Sequence, residues 1–166
     1  MCGVSGFVDF SGKLSEQDII DSLTLLKHRG PDDTGFYFRR INDASIAMGN
    51  SRLSIIDLSA KGHQPFQSDC GNYVLVFNGT IYNYRELRQE LSHLGVKFQS
   101  DSDTEVLLQS YITWPDTYLQ KLNGVFAFSI YDKIKNSIFL VRDKIGVKPL
   151  FYYFQKNTLL FGSELR

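Results

Sequence analysis

Met1-Cys2-Gly3-Val4-Ser5-Gly6-Phe7-Val8-Asp9-Phe10 opens the chain. Val4 to Phe10 is a short apolar run with glycines on either side, closed by Ser11-Gly12, and predicts a buried strand that carries Cys2 inward. Cysteine followed by glycine at position two leaves a small residue exposed to initiator-methionine removal. The mature chain would then begin with Cys2, a thiol and a free α-amine on one residue. Their unperturbed pKa values are about 8.5 and about 7.7–8.0. A nucleophile and a base so closely matched, a few ångströms apart, make an activated nucleophile with an amine as its base. Cys2 is thus a candidate N-terminal nucleophile. The plainer alternative is an early strand residue, and residues downstream decide between them.

Outward from that strand, Ser15 is placed to cap a helix with Ile19, Ile20, Leu23 and Leu26 at helical spacing, running to about Lys27. Phe36–Phe38 and Ser45–Met48 read as strands around a turn at Asn42-Asp43. Arg52 leads into the apolar stretch Leu53-Ser54-Ile55-Ile56-Asp57-Leu58, and Gly62-His63-Gln64-Pro65 reads as a loop. Tyr73–Phe77 lacks alternation, which predicts a strand covered on both faces, ending in the turn pair Asn78-Gly79. Asn83 is placed to cap a helix with Tyr84, Leu87, Leu91 and Leu94 as its stripe and Gly95 as its stop. Asp103 stands at the N-cap of another, with Leu107, Leu108, Tyr111 and Ile112 on one side, broken at Trp114-Pro115 before a short helix toward Leu122. Val125–Tyr131, Ser137–Val141, Leu150–Phe154 and Thr158–Gly162 complete the strands. Their connections are of hairpin length, so these pairs should be antiparallel. Buried antiparallel strands with few helices predict an α+β layered domain, two packed sheets with helices over the outer faces.

At 166 residues one domain is expected, burying roughly 70% of its unfolded surface. Formal net charge is zero and no long run of one sign occurs, which argues against nucleic acid and anionic membranes as partners. No apolar run approaches the ~20 residues of a membrane helix. The two cysteines make no disulfide framework, so a cytoplasmic, reducing location is expected. Three histidines and scattered carboxylates show no metal-ligand spacing, so no metal site is expected. His28, His63 and His93 fall on loops or a helix surface, without visible triad company for Cys2. Cys70 reads as a turn residue, and Arg142-Asp143 as an ion pair fixing a strand end.

Taken together, Met1-Cys2-Gly3, His28-Arg29-Gly30-Pro31-Asp32, Arg52-Leu53-Ser54-Ile55-Ile56-Asp57, Gly62-His63-Gln64-Pro65, Asn78-Gly79-Thr80-Ile81-Tyr82-Asn83, Ser102-Asp103-Thr104-Glu105, Asn123-Gly124-Val125-Phe126-Ala127-Phe128 and Arg142-Asp143-Lys144-Ile145-Gly146-Val147-Lys148-Pro149-Leu150 form an ordered set covering essentially the whole chain. In this order they resemble the glutaminase domain of class II glutamine amidotransferases, the N-terminal-nucleophile type. The His-Arg-Gly-Pro-Asp and Arg-Leu-Ser-Ile blocks favour the branch of glutamine-hydrolysing asparagine synthetases. The resemblance implies a four-layer αββα sandwich and hydrolysis of glutamine to glutamate and ammonia through a γ-glutamyl thioester on Cys2. It implies an oxyanion hole from the Asn78 amide and the Gly79 N–H, where a plain hairpin turn is the local alternative. Arg52 matches the holder of the substrate α-carboxylate, and Asp103 the partner of its α-ammonium, with helix capping as the other reading of Asp103.

Two departures stand out. The family usually carries glutamate where this chain has Thr80, so a second charged partner of the substrate ammonium is replaced by a hydroxyl. Relatives often carry histidine and a basic or small residue at Asn50-Ser51, which bears on the Arg52 loop. No Ser-Gly-Gly-x-Asp-Ser loop for ATP appears. The expectation is a glutaminase domain over 1–166 whose ATP-dependent synthetase lies elsewhere, in a further domain or separate subunit that Arg29 and nearby loops could face. No cofactor is expected for this domain, since ATP and magnesium would belong to the synthetase, and a homodimer is left open. The rival reading is a catalytically silent homologue that senses glutamine or binds a partner.

Overall fold

Alternate residues of the opening strand meet different neighbours, and that period of two builds the layers. In the computed structural model, which describes residues 1–54, 56 and 59–165 (the side chain of residue 60 excepted), the strands are β1 (Gly3–Asp9), β2 (Asp33–Ile41), β3 (Ala44–Arg52), β4 (Phe66–Gln67), β5 (Tyr73–Ile81), β6 (Gly124–Asp132), β7 (Ser137–Arg142), β8 (Phe151–Gln155) and β9 (Thr158–Gly162). The helices are α1 (Glu16–Leu26), α2 (Tyr84–His93), α3 (Asp103–Thr113) and α4 (Tyr118–Lys121). A five-stranded sheet runs β2-β3-β1-β9-β8 and a four-stranded sheet β4-β5-β6-β7, every pairing antiparallel.

Val4 of β1, Ile46 and Met48 of β3, Val74 and Val76 of β5 and Tyr131 of β6 interlock between the sheets. The intervening residues face outward. Phe7 and Ala47 pack under Ile19 and Leu23 of α1. Leu75, Phe77, Phe126 and Phe128 pack under Leu87 and Leu91 of α2 and Val106 and Leu107 of α3. The result is the expected α+β sandwich with helices on both outer faces.

Two buried carboxylates fasten loops at strand ends. Asp9 accepts from the N–H groups of Ser11, Lys13 and Leu14 and from the hydroxyls of Ser11 and Thr158. Asp143 accepts from the N–H groups of Phe126, Ile145, Val147 and Lys148. Arg142 does not pair with it: its guanidinium donates to the carbonyls of Gly146 and Lys148, so both side chains clasp the 143–149 loop from opposite charges.

Other expectations also need correcting. Asn78-Gly79 is no turn: both residues lie inside β5, which continues to Ile81 against β6. Pairing with β6 overrides the local turn preference. Asp103 is the first helical residue rather than the cap; Ser102 caps α3, its hydroxyl accepting from Thr104 N–H at 3.1 Å. Leu94 ends α2 and is exposed, so Leu87 and Leu91 carry the stripe. Ile55, Asp57 and Leu58 of the block after Arg52 lie outside the described residues.

Candidate active site

Cys2 precedes β1 and shares the parity of Val4, which turns its side chain toward the space between the sheets. Leu53 N–H points at its sulfur at 3.4 Å, and Sγ lies 3.7 Å from Leu53 O. Arg29 donates through Nε to the Cys2 carbonyl at 3.2 Å and pairs with Glu164 at 3.0 Å. Arg29 is therefore turned inward on the opening residues.

β5 supplies the opposite wall. β4 pairs with it only at Val74 and Leu75, so the outer edge of β5 beyond them has no strand partner among the described residues. In an antiparallel strand Phe77, Gly79 and Ile81 direct their N–H groups to the same edge. Phe77 N–H donates to Gln64 Oε1 at 2.6 Å and Ile81 N–H to Asp103 Oδ2 at 3.0 Å. The Gly79 N–H lies between them on that edge. An added Cβ at Gly79 would stand 2.4 Å from Val125 O and 2.7 Å from Phe126 Cα, so close backbone approach to β6 requires glycine. The Asn78 side chain is buried, and its Nδ2 has no hydrogen-bond partner among the described residues. A buried unpaired donor costs about 1–3 kcal/mol, which makes this amide a prepared receptor for an acceptor oxygen.

Arg52 ends β3, almost fully buried, with its guanidinium against Gly62: a Cβ there would fall 2.1 Å from Nη2. Asp103 faces it from the start of α3. Burial pushes the Asp103 carboxyl up to about 6, opposed by N–H bonds from Ile81 and Thr104 and by the Arg52 charge. Thr80 shares the Asn78 face of β5.

One cavity brings Cys2, Arg52, Asn78, Gly79, Thr80 and Asp103 together. Larger hollows of about 390 and 470 Å³ lie at the β2–β3 and β6–β7 hairpins and between α1 and β8–β9, and hold none of these residues. The cavity thus joins a thiol, unclaimed donors, a cation and an anion. Such opposed charges suit the zwitterionic end of an α-amino acid. His28 pairs with Glu164 and His63 with Asp33, and no histidine lines the cavity. No group of carboxylates, cysteines and histidines fit to hold a metal occurs among the described residues. No described helix is long and apolar enough to cross a membrane. Residues that the sequence did not single out also line the site, notably Gln64 and Lys148. Gln64 stood in a quoted loop motif, but its contact with Phe77 depends on sheet packing that no local pattern encodes.

Comparison with known proteins follows the same lines. A model described as a glutamine amidotransferase domain matches residues 1–166. "Asparagine synthetase [glutamine-hydrolyzing] 3" of Bacillus subtilis (strain 168) is 40% identical over 172 residues, covering 100% of this chain and 27% of that protein. "Putative asparagine synthetase [glutamine-hydrolyzing] 2" of Methanocaldococcus jannaschii is 37% identical over 180 residues, covering 100% of this chain and 34% of that protein. The chain thus spans about a quarter to a third of these relatives. Among solved structures, glutamine phosphoribosylpyrophosphate amidotransferase from B. subtilis, complexed with ADP and GMP, superposes with a TM-score of 0.75 at 22% identity, over 98% of this chain and 42% of that one. That likeness assigns the fold, the two-sheet sandwich of N-terminal-nucleophile hydrolases. With a family model matched end to end, the chain belongs to the glutamine amidotransferase domain family.

Proposed function

We propose that this domain hydrolyses glutamine through a covalent intermediate on Cys2. The observation that carries the reading is the convergence of the Cys2 thiol, the unpaired Asn78 amide and the opposed charges of Arg52 and Asp103 on one cavity. Arg52 receives the α-carboxylate through its guanidinium fork, and Asp103, ionised above pH of about 6, receives the α-ammonium. The side-chain amide of glutamine then reaches toward Cys2. With Met1 in place the Cys2 nitrogen is an amide without basicity; removal of Met1 supplies the amine. The amine takes the thiol proton as sulfur attacks the amide carbon. Asn78 Nδ2 and Gly79 N–H receive the charge on oxygen, each such donor being worth about 2.7–4 kcal/mol. Collapse breaks the C–N bond, the amine's proton leaves with nitrogen as ammonia, and water cleaves the γ-glutamyl thioester to release glutamate and restore the thiol.

The names of the B. subtilis and M. jannaschii relatives support a further step. The ammonia passes to a synthetase domain or subunit that makes asparagine from aspartate at the expense of ATP, with ATP and magnesium bound there. The test is glutamate release from glutamine by chain confirmed by mass spectrometry to begin at Cys2, with Cys2→Ala as blank. Turnover abolished by that change is expected. Correctly processed protein that releases no glutamate, even at high glutamine, would turn the reading to a silent or partner-activated homologue.

A further inference from the structure

The register of β4 continues past its end in an informative way. Phe66 lies opposite Leu75 and Gln67 opposite Val74, so the next ladder position that faces Phe77 belongs to Gln64. The strand itself begins only at Phe66. Gln64 nevertheless completes the pairing with its side chain: Oε1 accepts from Phe77 N–H at 2.6 Å. Asn50, reaching inward from β3 in the other sheet, donates from Nδ2 to that same Oε1 at 3.2 Å and to Phe77 O at 3.1 Å. The amide orientation of Asn50 follows from chemistry, because its nitrogen faces two acceptor oxygens. All three residues are buried, at 3% exposure for Gln64, 0% for Asn50 and 2% for Phe77. Both backbone groups of Phe77 are therefore held by side chains from outside its own sheet, and the Phe77 carbonyl carbon is bonded to the nitrogen of Asn78.

We propose that Gln64 and Asn50 are positioning residues for the Asn78 and Gly79 donors, fixing the Phe77–Asn78 peptide that leads directly into the segment carrying both. Their hydrogen bonds go to Phe77 and to each other, so the effect expected of them falls on the transition state rather than on the binding of glutamine. This rests on the glutaminase reading given above. Supporting contacts hold the clamp in turn. His63 Nδ1 is paired with Asp33 Oδ2 at 2.7 Å. Gly35 leaves room for the loop, a Cβ there falling 2.3 Å from Gln64 O.

The test compares wild type, Gln64→Met and Asn50→Ala, each beginning at Cys2, in glutamine hydrolysis and in binding of the γ-aldehyde analogue of glutamine. That aldehyde adds the thiol to give a tetrahedral adduct resembling the transition state. Gln64→Met keeps the side-chain length and loses the acceptor. The expected result for either variant is a 10- to 100-fold fall in kcat, KM for glutamine within about threefold, and aldehyde affinity lowered by the same factor as kcat/KM. A melting temperature measured alongside identifies a variant that fails to fold, in which case the other decides. A kcat within twofold of wild type, or a loss carried by KM, would overturn the inference and leave the glutaminase reading standing. A wild-type chain without turnover would overturn both.

Discussion

At the scale of single residues, the proposed function makes Thr80 and Asp103 the side chains that set how tightly the cavity holds an amino acid. Both line it, and Thr80 offers a hydroxyl where a carboxylate would add charge. A charged hydrogen bond is worth about 1.5–3 kcal/mol, so Thr80→Glu is expected to tighten glutamine binding about 10- to 100-fold. Calorimetry on the Cys2→Ala background reads this directly, and unchanged affinity would remove Thr80 from the substrate's surroundings. On the same reading Asp103 is expected to give binding its pH dependence. Burial lifts its carboxyl to about 6, so the free domain loses this negative charge as pH falls through that value. Glutamine affinity should be level above pH of about 7 and weaken up to tenfold per unit below about 6. Asp103→Asn should bind weakly at every pH; a wild-type profile equally flat would exclude Asp103 as the ammonium partner.

Among the elements, β5 matters most, since it is both core and cavity wall. Gly79→Ala would drive a methyl into Val125 O and Phe126 of β6. Both are backbone or near-backbone atoms that cannot swing aside. The expected outcome is a destabilised chain, with a melting temperature lower by several degrees and glutaminase activity reduced more than tenfold; native stability with full activity would show that β6 yields. This strand also shows what was legible in the sequence. The unbroken apolar run Tyr73–Phe77 announced a strand covered on both faces, as found. Asn78-Gly79 carried a stronger local turn signal than any residue around it, yet β6 pairing holds it extended. Likewise Ser102 and Asp103 are both good caps, and only the approach of Ile81 N–H shows that the Asp103 carboxylate was needed elsewhere. The resemblance brought Cys2, Arg52 and Asp103 into view together. Asn50 and Gln64 were not readable as a pair, being 14 residues apart on different elements.

For the whole molecule, folding stability should fall away in acid. Burial raises Asp9 and Asp143, but the N–H bonds that each accepts, led by Leu14 for Asp9 and Val147 for Asp143, outweigh it and hold both carboxyls below the ordinary 3.8. A depressed folded pKa gives stability that is present above the unfolded value and lost as pH falls below it. Chemical denaturation should therefore show stability dropping below pH of about 4, with a shallower slope in Asp9→Asn; an unchanged slope would place the acid sensitivity elsewhere. Asp103 runs the other way, its raised pKa eroding stability as pH climbs from about 4 to 6. The brevity of β4 leaves an edge of β5 open. Its two residues stop short of Phe77, and what a longer strand would have filled is the cavity itself. The same open edge would attract a stray strand from another molecule, were Gln64 and Asp103 not already occupying it on either side of Gly79. The hollow is in that sense an unfinished sheet, sealed against polymerisation by the same side chains that flank the Gly79 N–H.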